Sequence, residues 1–261
     1  MPQFAANVSM LFTEVPFLDR FQRAREAGFE AVEFLFPYEH DASRIAAALE
    51  ENGLALALFN FPAGDFGAGD RGLASDPNRV PTFRESAELA MQYADVLRPE
   101  KMNCLAGKRA PGVSRQDQLD TLVSNLRYAA DLAANHGVRL VTEPLNPFDA
   151  PEYLIATPDE GFAVIEQANH PNLKVEYDIY HAQRTQGNLA STLAARMPLI
   201  GHIQIADSPD RHEPGTGEIN FPFVLEAIDN AGYDGWVSLE YKPSGDTTSS
   251  LKWLRAMGYW D

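Results

Sequence analysis

The sequence predicts a (β/α)8 barrel of the α/β class, a single TIM-barrel domain over residues 1–261. Three observations carry that expectation. Short apolar, β-branched runs alternate along the chain with longer amphipathic stretches, the rhythm of strand–helix units around a parallel sheet. Eight such units fit into 261 residues, the usual size of such a barrel. An open doubly wound sheet alternates in the same way, but no G-x-G-x-x-G follows the first strand.

The strands are expected at FAANVSM (4–10), EAVEFLF (30–36), LALALFNF (54–61) and EKMNCLA (100–106). The second half supplies VRLVTEP (138–144), LKVEYDI (173–179), IGHIQIAD (200–207) and GWVSLEY (235–241). Between them, VPFLDRFQRAREAG reads as a helix stopped by Gly28, and DASRIAAALEENG as one capped by Asp41 and stopped by Gly53. The longest pattern, SRQDQLDTLVSNLRYAADLAANHG, ends at Gly137, and Thr157 with Glu160 forms a capping box ahead of GFAVIEQAN. The stretch PAGDFGAGDRGLASDPNRV (62–80) is too long and glycine-rich for a plain connector. It is expected to act as a lid or substrate-binding loop.

Composition excludes several function classes. No apolar run approaches the roughly 20 residues of a membrane span, and the N-terminus has no basic segment followed by an apolar core, so neither membrane nor secretory signal is expected. A net charge of −16 disfavours nucleic acid, whose phosphates need Lys and Arg. The lone Cys104 excludes an internal disulfide or a cysteine-rich zinc cluster and fits a reducing, cytoplasmic setting. Oligomeric state leaves no mark; a homo-oligomer is compatible with the sequence.

The chemistry gathers at strand ends. In these barrels active sites sit at the C-terminal edge, and strands 5, 6 and 8 end in LVTE, VEYD and VSLE. Period-two alternation puts Glu143, Asp178, Gln204 and Glu240 on matching faces. Three carboxylates cannot share a dry site without a cation. A divalent metal is the simplest compensation, and oxygen ligands favour Mg²⁺ or Mn²⁺ over zinc. Lower in the barrel, Glu176 is expected to pair with Lys174 or Arg139, and His202 to be a packed, hydrogen-bonded interior residue. His181, just past strand 6, is placed to touch a ligand.

At these residues the chain becomes familiar. NCLAGK, EPLNPFDAP, YDIYHAQR, GHIQIADSPDRHEPGTGEIN and GWVSLEYKP closely resemble the hydroxypyruvate isomerase family of xylose-isomerase-like TIM barrels. So do AANVSMLFTEVPFLDRF, EFLFPY and PAGDFGAGDRG, and the resemblance covers nearly the whole chain. That family includes isomerases of hydroxypyruvate and of 2-oxo-tetronate. The resemblance implies that Glu143 and Glu240 are proton donor and acceptor, and that Glu143, Asp178, Gln204 and Glu240 hold the metal. An enediolate isomerisation of a small anionic oxo-hydroxy acid follows, with Arg71, Lys108, His181 and Arg211 as candidates to bind the substrate. A ketose 3-epimerase is the alternative, weakened because strand 7 of such enzymes usually supplies a histidine where Gln204 stands. An apurinic-site endonuclease would need several histidines, and strands 3 and 4 end in Asn60 and Asn103. A sugar-binding module without catalysis would not need three converging carboxylates.

Overall fold

The structure, a computed structural model, describes residues 1–260. Eight parallel strands close into a barrel in chain order. They are β1 (Gln3–Asn7), β2 (Ala31–Phe34), β3 (Ala55–Asn60), β4 (Lys101–Asn103), β5 (Arg139–Thr142), β6 (Leu173–Asp178), β7 (Ile200–Ile205) and β8 (Trp236–Leu239). β1 pairs with β8 through Gln3 opposite Trp236, which closes the ring. The ladders are shorter than the apolar runs predict. β4 keeps only three residues because Cys104 to Gly107 leave the sheet to meet the long loop after β3.

Helices follow from their caps. α1 (Arg20–Ala27) starts one turn later than the amphipathic pattern, after a 3-10 turn that follows Pro16, and ends at Gly28 in the left-handed conformation. α2 (Ala42–Asn52) begins where the Asp41 side chain accepts from the Ser43 amide and ends at left-handed Gly53. α3 (Val80–Leu97) and α4 (Arg115–Asn135) are the longest, and α5 (Pro158–Ala168) starts with the expected Thr157–Glu160 capping box. α6 (Ile179–Thr185), α7 (Leu189–Arg196), α8 (Phe221–Asn230), α9 (Thr247–Ser250) and α10 (Lys252–Ala256) complete the outer ring. The apolar core lies between this ring and the barrel.

Inside the barrel the character changes with height. Ala5, Ala31 and Ala57 form a small apolar floor against Trp236. Above it, buried Glu33, Glu176, His202 and Ser238 make a polar layer. Register pairs Glu176 with His202, Asp178 with Gln204 and Gln204 with Ser238, so the predicted faces of β6, β7 and β8 do point inward.

Glu176 corrects one expectation. Neither carboxylate oxygen has a hydrogen-bond partner, and among the described residues no cation reaches it. Arg139 is exposed and Lys174 half-buried at the barrel's bottom edge. Burial, with the charges of Glu143 and Glu33, pushes the Glu176 carboxyl well above the usual range.

Candidate active site

Four strand ends deliver the expected side chains to one place. Asp178 closes β6 and Gln204 lies opposite it on β7, while Glu143 and Glu240 stand one residue beyond β5 and β8. All four are at most 6% exposed. Asn103 Nδ2 donates to Glu143 Oε2 at 3.1 Å, and Asn7 Nδ2 donates to Glu240 Oε1 at 3.1 Å. Glu143 and Glu240 open onto a cavity of about 430 Å³ whose wall also includes Asn60, His181, Arg211 and the loop residues Phe66 and Arg71.

His181 is buried in the same cluster. The Asn146 backbone N–H donates to its Nδ1 at 3.2 Å, which leaves the hydrogen on Nε2. Nε2 lies 3.5 Å from Asp178 Oδ2 and 3.8 Å from Glu143 Oε1. Burial first, then the nearby arginines Arg211 and Arg184, push the imidazole well below its ordinary value, so it stays neutral. Glu143, Asp178 and His181 bring ligand atoms within 4.8 Å of one another, a group that could hold a metal ion.

The cation that the sequence demanded is partly supplied by the protein itself. Arg211, on the loop after β7, lies with its guanidinium against Glu240 Oε2 and 3.3 Å from Asp178 Oδ2. It also stacks over the Tyr180 ring, 5.1 Å from its centroid. Burial pushes Glu240 up to about 8 and Asp178 to about 6, with Arg211 opposing the rise in each case. Glu143 has no such partner. Burial and the charges of Glu240 and Asp178 push it well above the carboxylate range.

Among the described residues, Glu143 Oε1 and Gln204 Oε1 are buried with no hydrogen-bond partner. The unspent Glu143 oxygen beside Asp178 and His181 leaves that group able to accept a metal ion.

The loop over residues 62–80 forms one side of the mouth. Asp70 organises it, accepting from the Asp65 amide at 2.8 Å and from both terminal nitrogens of Arg79 at 2.8 Å. Gly72 bridges Ala106 after β4; at φ 118° a Cβ there would collide with the Leu105 carbonyl. Arg71 reaches the cavity wall but is held over the Phe66 ring at 3.8 Å, donating to the Phe66 and Asp70 carbonyls. Lys108 does not line the cavity; its Nζ lies beside the loop at Gly69.

The sequence reading missed Asn7 and Glu33 altogether, and it noted Asn60 and Asn103 only as not being histidine. Asn7 and Asn103 are the last residues of their strands, so the same period-two rule could have marked them. Glu33 lies inside an apolar run with only its charge to betray it. His202 is structural as expected, with Nε2 2.8 Å from Glu33 Oε2.

Comparison with known proteins points to one family. Residues 21–257 match the family model of the xylose isomerase-like TIM barrel. The chain is 44% identical to the hydroxypyruvate isomerase of Escherichia coli K12, over 97% of this chain and 98% of that protein. It is 45% identical to the 2-oxo-tetronate isomerase of Cupriavidus necator, over 98% of each. A Brucella melitensis protein described as an AP endonuclease, family 2, superposes with a TM-score of 0.96 at 43% identity over the full length of both chains. A D-psicose 3-epimerase from Clostridium cellulolyticum H10 superposes at 0.79 with 20% identity, covering 98% of this chain and 99% of that one, a likeness of fold alone.

Proposed function

From the premise that this chain belongs to the xylose isomerase-like TIM barrel family, with hydroxypyruvate and 2-oxo-tetronate isomerases as relatives, we propose that it isomerises a small oxo-hydroxy acid. The conversion is hydroxypyruvate to tartronate semialdehyde, or 2-oxo-tetronate to 3-oxo-tetronate. The carrying observation is the pair Glu143 and Glu240: two buried glutamates from β5 and β8 that face one small cavity.

The reaction removes a proton from the hydroxyl-bearing carbon next to the ketone, returns one to the former carbonyl carbon, and passes the hydroxyl proton from the first carbon's oxygen to the second's. One glutamate takes the first proton and the other, protonated, gives the second, so each must present a free carboxyl oxygen to the substrate. Glu143 Oε1 has no partner in the protein, whereas Glu240 must release Arg211 or share it. The Nε2–H of His181, between Glu143 and Asp178, is placed to donate to a substrate oxygen as charge develops there. Held by Glu143, Asp178, Gln204 and Glu240, an Mg²⁺ or Mn²⁺ ion would supply Lewis-acid stabilisation of that charge.

Arg71, Arg184, Arg211 and Lys242 are the cations on the cavity wall, the arginines suiting a carboxylate best, and Lys108 belongs with the loop instead. The loop over 62–80 acts as the cover that keeps water from the enediolate. A nucleic-acid substrate, suggested by the description of the Brucella melitensis protein, fits less well: the chain carries a net charge of −16 and its carboxylates lie at the bottom of a small cavity.

The test is a panel assay of hydroxypyruvate, 2-oxo-tetronate, fructose and psicose with Mg²⁺ or Mn²⁺ present. Turnover of the oxo acids with little turnover of the neutral ketoses is expected. Faster conversion of a neutral ketose would sink the acid-substrate reading.

A further inference from the structure

Glu33 is a charged residue buried in the barrel, far from any solvent, and no step of the proposed reaction uses it. Three donors meet it. Oε1 accepts from Asn7 Nδ2 at 2.9 Å and from Gln204 Nε2 at 2.9 Å, while Oε2 faces His202 Nε2 at 2.8 Å. A buried carboxylate is normally compensated by a cation or metal; here side-chain N–H groups from β1 and β7 do it.

The arrangement has a direction. An amide side chain can present either end, and the two ends are nearly the same shape. Asn7 is oriented twice over, because its Oδ1 also accepts from the Ser9 amide at 3.0 Å. Gln204 has only Glu33 to orient it: Nε2 is taken by Glu33 and Oε1 has no partner. Turning the amide over would set Gln204 Oε1 against Glu33 Oε1, acceptor against acceptor. We propose that Glu33 is the positioning residue of the site, fixing the Gln204 amide so that its oxygen is the end offered to a divalent cation beside Asp178. Through Asn7, whose Nδ2 also donates to Glu240 Oε1, the same carboxylate holds a second cation-facing side chain. Gln204 is thereby made equivalent to an oxygen ligand that cannot reverse.

This inference rests on the proposed metal site, and its test separates the two. Mn²⁺ affinity is read by the free-ion EPR signal, with thermal melting to confirm that each variant is folded. In Glu33→Gln the new amide can donate to Gln204 Oε1, the Gln204 side chain is free to turn over, and Mn²⁺ affinity is expected to fall about 10- to 100-fold. In the exchange variant, Glu33→Gln combined with Gln204→Glu, one acid and one amide are again present. Either oxygen of the carboxylate introduced at position 204 can then face the cation. Affinity is expected to return to within a few-fold of wild type, and to exceed that of the Glu33→Gln single variant. Unchanged Mn²⁺ affinity in folded Glu33→Gln, or no rescue in the folded exchange variant, overturns the positioning role. If Glu33→Gln does not fold, the exchange variant alone decides. Wild-type protein that binds no Mn²⁺ overturns the metal site itself, and this role with it.

Discussion

The two glutamates of the site are alike in burial and unlike in company. Glu240 is paired with Arg211, whereas Glu143 accepts a hydrogen bond only from the Asn103 amide and has one oxygen unpartnered among the described residues. Replacing either by Gln keeps shape and one acceptor oxygen but removes the group that can take a proton. A positioned general base contributes about 10²- to 10⁴-fold, so Glu143→Gln and Glu240→Gln should each lower kcat by that range. The double variant should lose little beyond the worse single one, because both serve one proton path. Steady-state rates and deuterium incorporation from solvent read the step directly. Near wild-type kcat in both singles would remove the two-glutamate mechanism.

At the scale of elements, the loop between β3 and α3 buries Ala63, Leu73 and Ala74 at its two ends, while its exposed middle is tied by the Asp70–Arg79 pair. Arg79 beside Asp70 holds that carboxyl below its ordinary value, against a smaller opposing effect of burial. A lowered folded-state value means that the pair stabilises the loop above the unfolded carboxyl value, near pH 4, and that this contribution is lost as pH falls further. Both side chains are partly exposed, so a bidentate pair here contributes about 1 kcal/mol. Asp70→Asn at neutral pH should therefore raise KM about fivefold with a smaller effect on kcat, and should speed proteolysis within residues 62–80. Wild-type protein should show the same proteolytic opening only below about pH 4. Equal KM and equal cleavage rates in Asp70→Asn and wild type would remove the loop from substrate binding.

The whole molecule is a closed ring of strands with an apolar shell and a polar interior. Its floor is made of alanines, and its upper layers carry carboxylates from β2, β5, β6 and β8. A cation held by the Glu143, Asp178 and His181 group would be bound by the native state and not by the unfolded chain. A ligand that binds only the native state adds about 2.7 kcal/mol at a hundred times its Kd. Saturating Mg²⁺ or Mn²⁺ should then raise Tm by about 5 °C or more in a chain of this size, and a chelator should reverse it. No shift in Tm, together with full activity and no metal by elemental analysis after exhaustive chelation, would remove the metal from the site.

Local chemistry was enough for the barrel and for four of its inward side chains. Period-two alternation and strand-end position are properties of a few consecutive residues, so Glu143, Asp178, Gln204 and Glu240 could be placed before any contact was known. The helix stops at Gly28 and Gly53 and the Thr157–Glu160 capping box are equally local. Tertiary structure alone decided how those charges are answered. Arg211 reaches Asp178 across 33 residues of chain and Glu240 across 29, and Glu33 reaches Gln204 across 171. Lys108 turned to the loop rather than the cavity, and Glu176 found no cation among the described residues. Which donor meets which buried carboxylate depends on barrel closure and on the path of each loop, and neither is encoded in the spacing of neighbouring residues.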